Sequence, residues 1–147
     1  MKTPTRTSLL LSPVLLMVGC ATEITVRDAL PVPQERVFFK VLPKSSDPAR
    51  ATFVRDAWLL PTAPINIRIS VNGEFAAAFA AGERWEVALD PGDYLFGLRV
   101  TTLEGEPMTF HERIIDQTLL PGTRYQYRML LDPAIGWLLQ RAPVEQK

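Results

Sequence analysis

The sequence predicts an all-β protein, a single antiparallel sandwich of immunoglobulin- or transthyretin-like type that follows a cleavable signal peptide. Three observations carry this. INIRISV (Ile65–Val71) alternates apolar and polar residues with a strict two-residue period, the mark of a strand with one face in a core. Turn-forming pairs, Asn72-Gly73, Pro91-Gly92 and Pro121-Gly122, punctuate such runs at short intervals. No stretch keeps a helical period over three turns. At 147 residues, 47% hydrophobic and 22% charged, the chain can enclose one core. Three regions follow: a signal peptide over residues 1–19, a tether over 20–36 and the sandwich over 37–147.

The leader begins MKTPTRT, with Lys2 and Arg6 and no acid, and continues as an apolar run over residues 8–18. Eleven helical residues rise roughly 16 Å, short of the ~30 Å hydrocarbon core, and Pro13 interrupts the run, so the segment targets rather than spans. It ends in Met17-Val18-Gly19-Cys20, which holds the chain's only cysteine. MVGC resembles the lipobox of bacterial lipoproteins, with Met17 where leucine is usual. The resemblance implies that Cys20 is diacylglycerylated, becomes the mature N-terminus and is the lipid attachment residue. Two or three acyl chains, at about 0.8 kcal/mol per buried CH₂, anchor firmly where one would be marginal. With its single thiol acylated the chain has no intramolecular disulfide. In such lipoproteins an aspartate after the cysteine signals inner-membrane retention. Ala21 and Thr22 stand here instead, which implies transfer to the outer membrane with the body facing the periplasm.

Residues 21–36 hold two prolines and little period, so they read as a tether with at most one short strand. VFFKVL (37–42) is the first strand candidate, PKSSDP a loop, and RATFVR (50–55) the next strand. WLLPTAP is an apolar loop broken by Pro61 and Pro64. Ile65–Val71 returns through Asn72-Gly73 into Glu74–Phe79, and Glu83–Leu89 follows with Trp85, Val87 and Leu89 on one face. Asp90-Pro91-Gly92-Asp93 suits a type II turn joining that strand as a hairpin to residues 94–100, which alternate Tyr94, Phe96, Leu98 and Val100 inward. Further strands are expected at 108–115, 123–131 and 135–141, with Tyr125, Tyr127, Met129 and Leu131 sharing a face.

The run from Val71 to Val100 is similar to the hairpin pair of PEGA-type domains and of lipoproteins with a carboxypeptidase-regulatory-like sandwich. Val71-Asn72-Gly73 and Leu89-Asp90-Pro91-Gly92-Asp93-Tyr94 carry the likeness, RATFVR resembles the opening strand of the lipoprotein group, and LPGTRYQYRM resembles its closing one. The P-E-G-A tetrapeptide itself is absent. The resemblance implies a fold and no reaction.

Composition excludes several functions. Sixteen basic and sixteen acidic residues give a net charge of zero. Removing Lys2 and Arg6 with the leader leaves 14 against 16, or −2, which does not suit a nucleic-acid backbone. One histidine and one acylated cysteine do not make a zinc site, so no metal and no cofactor is expected. In FHERIID the second histidine of a metalloprotease motif is missing, position 115 being Ile. No G-x-S-x-G elbow supports a serine nucleophile, and VNG and DPG are strand turns rather than phosphate loops. The acids Glu74, Glu83, Glu86, Asp90 and Asp93 read as solvated or turn-bonding groups. No catalytic residue is therefore assigned.

Trp85 and Trp137 are expected to pack in the sandwich. Trp58, with Leu59 and Leu60, lies in a loop and is the candidate partner surface, or else the loop folds back to plug one end. The expected function is a membrane-anchored, non-catalytic binding or assembly module of the cell envelope, in contact with the lipid bilayer through Cys20 and with an envelope protein partner. A subunit of an envelope secretion machine is the alternative within that class, and a periplasmic cell-wall hydrolase using carboxylates is the alternative outside it.

Overall fold

Alternation dictates the layers. In a computed structural model, which describes residues 24–57, 65–102, 104–108, 112–132 and 134–144, the apolar members of each alternating run face one another across two sheets. The elements are β1 (Leu30–Pro31), a 3₁₀ turn at Gln34–Arg36, β2 (Ala49–Arg55), β3 (Ile65–Val71), β4 (Glu74–Phe79), β5 (Glu83–Leu89), β6 (Gly92–Thr102), β7 (Arg113–Leu119), β8 (Arg124–Asp132) and β9 (Gly136–Ala142). One sheet has five strands in the order β1-β5-β2-β8-β9 and the other four in the order β4-β3-β6-β7. Together they form a single β-sandwich. Immunoglobulin order makes the first two strands sheet neighbours. Here β2 lies between β5 and β8 while β3 opens the other sheet, so the connectivity is the transthyretin-like one.

The core lies between the sheets. Ile67, Ile69 and Val71 of β3 and Phe96, Leu98 and Val100 of β6 meet Phe53, Trp85, Tyr127 and Met129 of the five-stranded sheet, all of them buried. Phe53 is central, stacked on Trp85 at 5.7 Å and on Tyr127 at 5.1 Å, with Phe96 edge-on at 5.1 Å. Such pairings add about 0.5–1.5 kcal/mol each beyond area burial. Trp137 packs half-buried against the core beneath the Arg55 guanidinium, 5.2 Å away.

The Asn72-Gly73 hairpin forms as expected, both residues having positive φ and Val71 pairing with Glu74. Four expectations are corrected. Pairing is not wholly antiparallel: β2 runs parallel to β8, and β1 parallel to β5. Long connections separate those partners, so no hairpin sets their direction. Second, β5 and β6 do not form a hairpin, because they belong to different sheets. Gly92 has φ +149°, far from the +80° a type II turn needs, and the segment crosses between layers. Third, residues 37–42 make one bridge, Val37 to Ala77, and no strand. A bulge in β4 leaves the Ala76 carbonyl free to accept both the Phe38 and Phe39 amides, which ends the ladder. Fourth, the strand expected at 108–115 starts at Arg113 and runs to Leu119, where it pairs with the first half of β6.

The stretch read as a tether is docked from Ile24 onward. The Ile24 carbonyl accepts from Arg128 at 2.7 Å, β1 adds to the sheet edge, Val32 enters the core, and Arg36 forms a two-bond ion pair with Glu83.

Candidate functional site

The residues singled out from sequence, Cys20 and the Trp58, Leu59 and Leu60 run, lie outside the described residues, as does His111. One arrangement that can hold a ligand is a cavity of ≈180 Å³ on the outer face of the four-stranded sheet.

Register builds it. The polar residues of β3 that alternate with its core residues, Arg68 and Ser70, stand directly opposite Arg99 and Gly97 of β6. Two arginines side by side repel. Glu112 neutralises one of them, accepting from Arg99 at 2.9 Å, and its other oxygen accepts from the Ser70 hydroxyl at 3.0 Å. Glu112 reaches Ser70 by crossing over β6 at Gly97, where any Cβ would collide with both groups.

Arg68 has no such partner. Its guanidinium lies 4.8 Å from the centroid of the Phe75 ring, and among the described residues it makes no hydrogen bond or ion pair. Its buried Nε is unpartnered, and so is the hydroxyl of Thr101, 1% exposed, in the same cavity. Buried polar atoms are seldom left this way, and two in one cavity mark a place prepared for a polar group. Phe75 is backed by Phe38, 54% exposed, with ring centroids 4.5 Å apart, so an aromatic ledge borders the cavity. Gly105 completes the rim, close enough to Arg68 that a Cβ would overlap the guanidinium.

Several other ionisable groups carry structure. Arg55 is buried at the end of β2 and donates to the Ile65 and Phe79 carbonyls at 3.1 and 2.7 Å, tying the two sheets together. Burial pushes its guanidinium down to about 10, an effect that nearby Glu83 opposes. Asp90 accepts the Lys44 and Ser45 amides, and Asp93 accepts from Thr118. Among the described residues no three His, Cys, Asp or Glu side chains converge as metal ligands.

Sequence reasoning missed this cavity. Its one trace was the polar face of INIRISV, but that Arg68 meets Arg99, and that Glu112 spans to Ser70, depends on the register between β3, β6 and β7.

The fold and cavity define the chain as a β-sandwich protein with a small cationic cleft. No known family model matches it, and no curated protein matches it. Among solved structures it is similar to the NMR structure of a protein from Eubacterium rectale, with a TM-score of 0.43 and 12% identity, over 73% of this chain and 100% of that one.

Proposed function

We propose that the protein is a lipid-anchored module of the bacterial envelope, held in the outer membrane by acylated Cys20 and facing the periplasm. Its sandwich binds rather than catalyses, and its Arg68 cleft receives a carboxylate from an envelope protein partner.

The observation that carries this is the unneutralised Arg68. A half-buried cation without a counter-ion is held at a cost that an incoming anion removes, and guanidinium matches a carboxylate with two parallel hydrogen bonds. Thr101 would supply or accept a further bond. The cavity is below the ~300 Å³ typical of small-molecule sites, a size that suits the end of one side chain. Arginine over a half-buried aromatic ring that an exposed one backs is also the composition of an interface anchor.

The test is titration of arginine-labelled protein with sodium acetate while following the side-chain Nε–H resonances. The Arg68 signal should shift and saturate, and Arg68→Ala should weaken binding roughly ten-fold or more, the worth of a charged hydrogen-bonded pair. A shift spread evenly over all arginines, with no saturation at Arg68, would refute the cleft. A photo-crosslinker at Phe38 in the native envelope should then capture one protein, lost in both Arg68→Ala and Cys20→Ser chains.

A further inference from the structure

The outer face of the other sheet repeats the pattern on a larger scale. Arg50 of β2 stands directly opposite Arg124 of β8, and Glu86 of β5 neutralises only the first, at 3.0 Å. Arg84 adds a third guanidinium, bonded to the Val26 carbonyl, and Arg27 a fourth from the N-terminal turn. These line a groove of ≈310 Å³ with Gln126 in its floor. Four guanidinium groups against one carboxylate give the groove a net charge of +3, in a chain whose total is zero. Arg27 and Arg124 have no hydrogen bond or ion pair among the described residues. Gln126 is 5% exposed, and its amide is likewise unpartnered.

The first described residues lie at this same face. Ile24 is held by Arg128 and Asp56, and Val26, two residues on, forms part of the groove wall. Cys20 is four residues before Ile24, so even a fully extended chain places it within ~14 Å of that point. An anchor at Cys20 therefore brings the bilayer surface to the edge of the arginine groove, while the Arg68 cleft lies on the opposite side of the sandwich.

We infer that the groove formed by Arg27, Arg50, Arg84 and Arg124 docks on the phosphate headgroups of the anionic phospholipid bilayer that holds Cys20, turning the Arg68 cleft away from the membrane. This rests on the lipid-anchor reading above. Headgroup phosphates supply the charge that Arg27 and Arg124 lack and acceptors for the Gln126 amide. The docked state weakens with salt and loses about five-fold in population ratio for each arginine removed.

The full lipidated protein carrying Thr52→Cys is labelled with a nitroxide and reconstituted in phosphatidylethanolamine vesicles, with and without phosphatidylglycerol. Because Cys20 is the sole native cysteine, one label per chain reports an acylated Cys20, and two labels report that the anchor reading has failed. With one label, broadening by an aqueous nickel complex should fall when phosphatidylglycerol is present and return in an Arg50→Gln, Arg124→Gln chain. A Glu74→Cys label on the other sheet should be indifferent. Ala88→Cys, on the same face of β5, replaces Thr52→Cys should that variant misfold. Equal broadening in both vesicle types overturns the docking while leaving the anchor intact. Protection by inorganic phosphate in neutral vesicles overturns it in favour of a soluble anion.

Discussion

Tyr127 lies wholly buried among Phe53 and Phe96, and its hydroxyl has no hydrogen-bond partner. Burial raises its pKa well above the ordinary tyrosine value, and Tyr94 is raised in the same sense by burial and then by Asp90. Above pH ~10 the unfolded chain ionises its tyrosines while the folded chain keeps these two protonated, so the folded state binds more protons and stability falls as pH rises. Below that pH their contribution is intact. Tyr127→Phe removes an unsatisfied hydroxyl and keeps the ring, so it should stabilise the protein by about 1 kcal/mol at neutral pH. It should also flatten the alkaline loss, both read from urea midpoints at pH 7 and 10.5. Sequence alternation was enough to place Tyr127 inward. That its hydroxyl finds no partner there depends on which side chains close over it.

At the scale of elements, the N-terminal segment shows how a proline-broken, aperiodic stretch becomes part of a fold. Its attachment is polar: Asp56, next after β2, pairs with Arg128 of β8, and both side chains are about one-tenth exposed. The same two groups hold the Ile24 amide and carbonyl. Removing one member of a buried pair strands the other. Asp56→Ala should therefore cost about 3 kcal/mol, and amide exchange should quicken over residues 24–28 before the rest of the chain. No periodicity reports such a segment, because its partners come from strands distant in sequence. The VFFKVL run errs in the other direction. It has strand composition, yet the Ala76 bulge gives it one bridge, and its rings go instead to Phe75 and Trp85.

For the whole molecule, the parallel pairing of β2 with β8 is decisive, since Ala51 meets Tyr125 across most of the sandwich sequence. Closing such contacts early is entropically expensive, so folding should take milliseconds to seconds rather than microseconds. Stopped-flow tryptophan fluorescence would read this directly, and a dominant phase faster than about a millisecond would contradict it. The same topology gives the molecule its two faces, an arginine groove on the five-stranded sheet and the Arg68 cleft on the four-stranded one.

The sequence by itself determined that the protein is all-β, where most strands run, which side chains turn inward and where the Asn72-Gly73 hairpin lies. Each of these is local: a two-residue period and a two-residue turn contain their own instructions. Only the tertiary structure decided that β5 and β6 part into different sheets, that β2 and β8 run parallel, and that residues 24–36 are docked. It alone set Arg68 against Arg99 and Arg50 against Arg124, leaving one guanidinium of each facing pair unneutralised. A strand's own sequence says which face a side chain takes. The neighbour it meets there is chosen by register between strands far apart in the chain, because a shift of one residue on either strand changes every pair.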